Sequence, residues 1–321
     1  MRLSYALNQW KQGHDQFVVR ADHEKAFKTL VVAGFDRIEI PAGTGRWEPL
    51  GNREWIEKSY GSVAALRELM TQCGIGSVSS YTFNPELPIL EEGSRGRNVL
   101  DADDHPAIAS TATRLAELCG ELGGDLLVVR PLASAWRLKD LDGAALNTAA
   151  QCWNTAGQAI APHGVRLALN IDCLGALRTG DDIEALLDAC DPETVGLSID
   201  TADAVIMGLD PLALYERFKD RVWHFHLKDT KAVDTLAEAT APSAERTFLI
   251  EGGAREIERW YFEMMTPGGL VDFPALAKAL QDYAGLLVVE SDQSPYPVTS
   301  ALLNGWARQR LFGAQPASET R

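Results

Sequence analysis

Four residues of types that bind hard cations stand far apart in the chain: Asn170, Asp200, His226 and Glu290, separated by steps of 30, 26 and 64 positions. Two carboxylates, an imidazole and an amide oxygen make a donor set for a divalent cation, with Mn2+ the expected ion and Mg2+, Co2+ or Zn2+ as alternatives. No cysteine stands at these positions, which argues against a structural zinc site. Taken singly, each residue has a plain structural reading, because an acidic residue at a strand end commonly caps the helix that follows. Their joint occurrence at the ends of successive apolar runs carries the functional reading.

Those runs define the elements that must position the four residues. Candidate strands lie at 2–8, 36–40, 75–81, 125–130, 165–170, 194–200, 221–226 and 284–290. Several are near-continuous apolar stretches, as in strands buried on both faces of a parallel sheet. Helical patterns alternate with them. After Asp142, the residues Leu146, Ala149, Ala150, Trp153, Gly157 and Ile160 form one apolar face. Another helix is expected to start near Asp104-His105-Pro106, with Ile108, Ala112, Leu115 and Cys119 facing inward. Gly34, Gly74 and Gly164 each follow a helical pattern and precede a strand, as helix-terminating glycines do. The alternation predicts an α/β fold, a single-domain (β/α)8 TIM barrel over 1–313, with a flexible tail at 314–321. The rival doubly wound sheet needs a glycine-rich phosphate loop after its first strand, and here that strand runs into Asn8-Gln9-Trp10. In a barrel, strands aim their C-terminal ends at the active-site mouth, so the four residues would converge there. The stretch between Asp229 and Asp272 becomes a long loop after the seventh strand, a candidate lid or substrate wall.

Composition narrows the partners. With 30 Lys+Arg against 45 Asp+Glu, the net charge is −15, which disfavours nucleic acid as a partner. Cys73, Cys119, Cys152, Cys173 and Cys190 are odd in number, widely spaced and form no CxxC pair, which points to a reducing compartment. No leader-like segment opens the sequence and no apolar run approaches about 18 residues, so a soluble cytoplasmic protein without a membrane partner is expected. No glycine loop suited to phosphate is present, so a phosphorylated substrate is not favoured. Among the remaining histidines, His14, His23 and His163 read as surface residues.

Several segments resemble the xylose isomerase-like sugar isomerase/epimerase superfamily. HFHLKD at 224–229 is similar to its HxHxKD strand, LSIDTAD at 197–203 to its LxxDTGH segment, and LVVESDQ at 287–293 to its terminal VVExD strand. GFDRIEI at 34–40 resembles the family's second strand, with Glu39 at the usual acidic position. The early NQW, the segment before GGLVDF and the SPYP…ALLNGWARQR ending are most similar to inosose dehydratases and related keto-sugar lyases.

The resemblance implies metal ligation by Asp200, His226 and Glu290, with Asn170 where the family commonly has a fourth carboxylate, and Asp203 where it has a histidine. It implies a lyase acting on a keto-sugar, keto-cyclitol or 3-oxo-glycoside by removing the proton α to the carbonyl and expelling a β leaving group. A C–H beside a ketone is too weak an acid for a carboxylate or imidazole unless a Lewis acid stabilises the enolate and a placed base takes the proton. Glu290 and Asp172 are the base candidates, His224 the acid, Lys228 a group for polarising substrate oxygens, and Asp229 a partner that orients His226. Trp10, Glu39, Arg130, Trp136 and Asp203 are the substrate-contact candidates. An isomerase or epimerase at the same metal site is the alternative, and a non-catalytic sugar-binding subunit a third reading. A DNA endonuclease on the same fold is disfavoured by the acidic charge and only six histidines. A homo-oligomer is expected by analogy, with a second subunit as a variant.

Overall fold

The computed structural model describes residues 2–10, 19–42, 49–86, 96–138, 140–241, 262–291, 294 and 296–313. Eight parallel strands close into a barrel in sequential order: β1 (Arg2–Ala6), β2 (Arg37–Ala42), β3 (Ser77–Phe83), β4 (Leu126–Val129), β5 (Arg166–Asn170), β6 (Val195–Asp200), β7 (Val222–Leu227) and β8 (Leu286–Val289). Each falls where an apolar run predicts it. β2 and β3 extend two residues further toward the mouth than expected, and β4 and β8 are trimmed to four residues each.

Eleven helices accompany the strands among the described residues. The first six are α1 (Val19–Val32), α2 (Arg53–Tyr60), α3 (Val63–Gln72), α4 (His105–Glu121), α5 (Gly143–Ile160) and α6 (Gly180–Ala189). After them come α7 (Thr201–Ile206), α8 (Pro211–Phe218), α9 (Leu236–Ala239), α10 (Phe273–Ala279) and α11 (Pro297–Phe312). The sequence signals explain their ends. Asp142 caps α5 by accepting from Ala145 N at 2.8 Å, and Pro106 sits in the first turn of α4. Gly34, Gly74 and Gly164 adopt φ of 92°, 92° and 71°, the left-handed region where an added Cβ is strained. The predicted faces of α4 and α5 are buried against the barrel.

Two cores result. A large shell of apolar side chains lies between helices and barrel, and a small cluster of Ala6, Leu126, Val128, Ala168, Leu286 and Val288 packs separately, with Trp223 against it. Two register shifts shape the polar part. Between β2 and β3, Ile38 pairs with Val78 but Glu39 with Ser80, leaving Ser79 extra. Between β6 and β7, Leu197 pairs with Val222 but Ser198 with His224, leaving Trp223 extra. One extra residue changes which face the following side chains occupy, so both shifts re-aim residues of the site described below.

The tail at 314–321 and residues 242–261 of the expected lid lie outside the described residues, as does His14. No helix among the described residues is long and apolar enough to cross a membrane. His163 is exposed as expected. His23 is not: it is only 4% exposed, with Nδ1 2.5 Å from the Tyr60 hydroxyl and its ring stacked on Phe27 and Tyr60. A polar neighbourhood in sequence concealed an aromatic pocket built by α1 and α2.

Candidate functional site

The floor of the site is a buried ionic lattice. Glu39 on β2 reaches across the barrel to β7, where its Oε1 lies 2.6 Å from His226 Nε2 and its Oε2 3.1 Å from His224 Nε2. Ser80 Oγ donates to the same Oε2 at 2.7 Å, a contact the first register shift makes available. Burial alone would raise the Glu39 carboxyl, but His226 and His224 outweigh it and hold the group far below the ordinary carboxylate range. His224 behaves oppositely: burial and the neighbouring His226 pull it down to about 4 despite Glu39, so it is neutral at pH 7. Its Nδ1 lies 2.8 Å from Ser198 Oγ, which in turn lies 2.8 Å from Asn170 Oδ1.

Above this floor stand Asp200, His226 and Glu290, whose ligand atoms lie within 4.8 Å of one another. Asp200 is used twice. Its Oδ1 accepts from Asp203 N at 2.9 Å and so caps α7, while Oδ2 faces inward. His226 Nδ1 lies 3.7 Å from Asp200 Oδ2 and 3.8 Å from Glu290 Oε2, fully buried and with no hydrogen-bond partner among the described residues. Burial opposes charging this imidazole, yet Glu290, Glu39 and Asp200 push it up to about 10. Burial and the Asp203 charge raise Asp200 well above the ordinary carboxylate range, against Lys228. Lys228 Nζ sits 2.8 Å from Asp200 Oδ2 and 3.1 Å from Glu290 Oε2.

The set fits a divalent cation. A buried imidazole nitrogen without a partner, facing two carboxylate oxygens, is the arrangement such an ion completes, and the other nitrogen, bonded to Glu39, fixes the ring. Lys228 places one positive charge on the same two oxygens. Asn170 ends β5 opposite Ser198, which stands two residues before Asp200 on β6.

The β4 and β5 ends form a second part of the mouth. Arg130 Nε lies 3.1 Å from Asp172 Oδ2, and Asp172 Oδ1 accepts from Leu174 N at 2.8 Å. The two following loops are tied by a bridge between Ser134 and Gly175. Asp203 brings its carboxylate within 4.8 Å of Asp172. Trp10 is half-buried against Tyr5, ring centroids 5.7 Å apart, and Trp136 is half-buried in the turn after β4.

Three sequence expectations are corrected. His224, the expected acid, is 0% exposed and both its nitrogens are engaged, so it supports the floor. Glu39, expected to touch substrate, is 1% exposed and engages three side chains beneath the site. Asp229, expected to orient His226, instead accepts from Thr230 N at 2.9 Å and Val271 N at 3.2 Å and pins the long loop after β7. Its carboxylate lies where a Cβ on Gly269 would fall, so the loop passes over it only because that residue is glycine. Glu39 holds the orienting role. Sequence reasoning missed Asn8, whose Nδ2 donates to Glu290 Oε1 across the barrel seam, and the hydroxyls of Ser80 and Ser198. The NQW motif pointed at the first; nothing local points at the serines.

A family model described as a xylose isomerase-like TIM barrel matches residues 27–309. The chain is similar to the inosose dehydratase of Geobacillus kaustophilus (strain HTA426), 33% identical over 146 residues, covering 43% of this chain and 44% of that relative, less than half of either. Among solved structures it is similar to the probable 3-DHS dehydratase AsbF from Bacillus anthracis, with a TM-score of 0.68, 14% identity and coverage of 96% of this chain and 98% of that one. It is also similar to an IOLI protein with a bound zinc atom, with a TM-score of 0.65, 17% identity and coverage of 97% and 96%. At such identities the two structural likenesses concern the fold.

Proposed function

This chain belongs to the xylose isomerase-like TIM barrel family, and on that premise we propose that it is a metal-dependent lyase, dehydratase-like, acting on a keto-sugar, keto-cyclitol or 3-oxo-glycoside. The observation that carries the reading is His226 Nδ1, buried and unpartnered between Asp200 Oδ2 and Glu290 Oε2 at the barrel mouth. The naming of a relative as an inosose dehydratase supports the dehydratase direction. Asp200, His226 and Glu290, with Asn170 beside them, would hold a divalent ion, Mn2+ by the donor set, which supplies Lewis acidity toward a substrate carbonyl oxygen.

The chain's own residues do the rest. Glu39 bonds His226 Nε2 and so aims Nδ1 at the two carboxylates. Asn8 holds Glu290 by one oxygen and leaves the other turned inward. Asp172, 22% exposed at its side chain, is the carboxylate best placed to reach a substrate proton, because Glu290 is committed to Asn8, Lys228 and the His226 face. Lys228, released from the carboxylates, is the cationic donor for a substrate oxygen. Elimination balances simply: the α C–H pair becomes the new C=C bond, the β C–O bond breaks, and the proton taken by the base leaves with the departing oxygen as water or alcohol.

The test is metal content of the purified protein, followed by reaction of loaded protein with inososes, ketoses and 3-oxo-glycosides. The expected product is an enone with ultraviolet absorbance and a loss of mass. A product of unchanged mass would replace this reading by an isomerase or epimerase at the same site. No divalent ion bound under any condition would remove the enzymatic reading and leave a sugar-binding subunit.

A further inference from the structure

Arg130 is the unusual cation of this mouth. Its side chain is 8% exposed, and Nε and Nη2 are buried without a hydrogen-bond partner among the described residues. A guanidinium carries five donors in a fixed fork, and leaving them unmade in a buried place is strongly unfavourable. A charged neighbour among the described residues is Asp172, with Oδ2 3.1 Å from Nε and poorly aligned for a hydrogen bond. Asp172 is itself only half committed, with Oδ1 on Leu174 N and a side chain 22% exposed. Donor and acceptor therefore stand side by side, held by strands β4 and β5 and by the Ser134–Gly175 bridge. The carboxylate of Asp203, within 4.8 Å of Asp172, adds a further negative charge.

We propose that Arg130 and Asp172 form a hydroxyl-reading subsite that selects a neutral polyhydroxylated ring over one bearing a carboxylate or phosphate. This rests on the lyase reading given above and extends it to the substrate's charge. A hydroxyl accepts from Arg130 and donates to Asp172 at once; a vicinal pair of hydroxyls divides the two tasks. An anionic group can accept from the guanidinium but faces Asp172 and Asp203, and Asp172 then has no proton to accept. The same chemistry disfavours a second metal among Asp172, Cys173 and Asp203, because the guanidinium already supplies the positive charge there. Asp172 can serve as acceptor for a hydroxyl in the ground state whether or not it is the base.

The test uses two ring ketones that differ in charge, a neutral inosose and the carboxylated 3-dehydroquinate. Binding to the full chain in Mg2+ is followed by ligand-observed NMR, with circular dichroism confirming the fold. Wild type is expected to bind the inosose at least about tenfold more tightly. Asp172→Asn, which removes the counter-charge, narrows that gap by about tenfold or more; Arg130→Gln, which removes the donor, weakens inosose binding and widens the gap. The two variants move the ratio in opposite directions, so either alone carries the test if the other does not fold. Preference for 3-dehydroquinate in wild type, binding of neither ketone, or equal changes for both in the variants overturns the subsite. Enone formation without a neutral preference overturns the subsite and leaves the lyase; a neutral preference without elimination does the reverse.

Discussion

Glu39→Gln separates two effects that the floor of the site combines. In the wild type the Glu39 carboxylate bonds His226 Nε2 at 2.6 Å, which leaves Nδ1 to face Asp200 and Glu290. The same carboxylate, with Glu290 and Asp200, raises the imidazole to about 10. At pH 7.5 a metal must therefore displace a proton from a group about 2.5 units above the solution pH, a penalty of about 3 kcal/mol. Replacing Glu39 by an amide lowers that penalty, which favours the metal. It also lets one imidazole take the wrong tautomer, because a single amide oxygen cannot accept from both His224 and His226. Loss of such an orienting partner typically weakens metal binding about 10- to 100-fold, or ~1.4–2.7 kcal/mol. The two effects separate with pH. Near pH 9.5 proton competition falls to about 1 kcal/mol or less and most of the orientation loss is expected; near pH 7 the eased deprotonation offsets part of it. Mn2+ titration followed by the paramagnetic resonance of free Mn2+, at both pH values, reads the ratio directly. Proton release in weak buffer at pH 7.5 should be about one per ion in wild type and less in Glu39→Gln. A folded variant with wild-type affinity at pH 9.5 refutes the orienting role, and a weakened variant whose ratio does not change between the two pH values refutes the proton competition instead.

Lys228→Met removes the ammonium that shares Asp200 Oδ2 and Glu290 Oε2, so Mn2+ affinity should rise about tenfold while the metal-free protein melts at lower temperature, both read by titration and circular dichroism. His224 is held at about 4 in the fold against 6.5 ordinarily, so the unfolded chain takes up its proton first and stability is lost as pH falls from about 6.5 toward 4. The loss is ~3 kcal/mol in full, about 1.4 kcal/mol per pH unit at most. His226, with its raised value, acts in the other direction: its contribution is complete below 6.5 and is lost progressively as pH rises from there through about 10. Urea midpoints should fall as pH is lowered from 6.5 through 5.5 to 4.5 for wild type and much less for His224→Gln; a flat wild-type series contradicts the reading. Asp229→Ala strips the acceptor for Thr230 N and Val271 N, and a stability loss of about 1–3 kcal/mol is expected by urea denaturation, with Mn2+ affinity unchanged. A change in metal affinity there would restore the role first expected of Asp229.

The strands were legible because parallel strands covered by helices read as apolar runs, and a polar residue closing such a run stands out. That is why Asp200, His226 and Glu290 could be picked from positions far apart, and the chain folds them to within 4.8 Å. The floor was not legible for a definite reason. Whether Glu39, Ser80, Ser198 and His224 meet depends on the two register shifts, at Ser79 and at Trp223, and a single extra residue leaves no mark in a run whose two faces are both buried. HFHLKD therefore presents two histidines as equals, whereas the fold gives one an open nitrogen and spends both nitrogens of the other. Asp229 was misread because its partners are backbone amides, one of them Val271 from 42 positions further along, which no side-chain motif records.

Asn170 gains meaning from the charges around it. With Asp200 ionised, as a ligand must be, Asp200, Glu290 and Glu39 supply three negative charges, and Lys228 with a protonated His226 supplies two positive ones, a sum of −1. Exchange of the His226 proton for a divalent ion would bring the centre to zero with Lys228 still nearby. A carboxylate in place of Asn170 would lower both totals by one and leave the loaded centre negative, which opposes negative charge developing on a substrate oxygen. The amide thus suits a reaction in which charge builds on the carbonyl oxygen during proton removal, provided Lys228 stays within reach. It also removes one carboxylate from the side of the ligands, where a two-base proton transfer would need it. On the proposed lyase reading, Asp172, paired with Arg130 on the neighbouring wall, is the carboxylate that would face a substrate, and the proton it would take is not obliged to return to the same carbon.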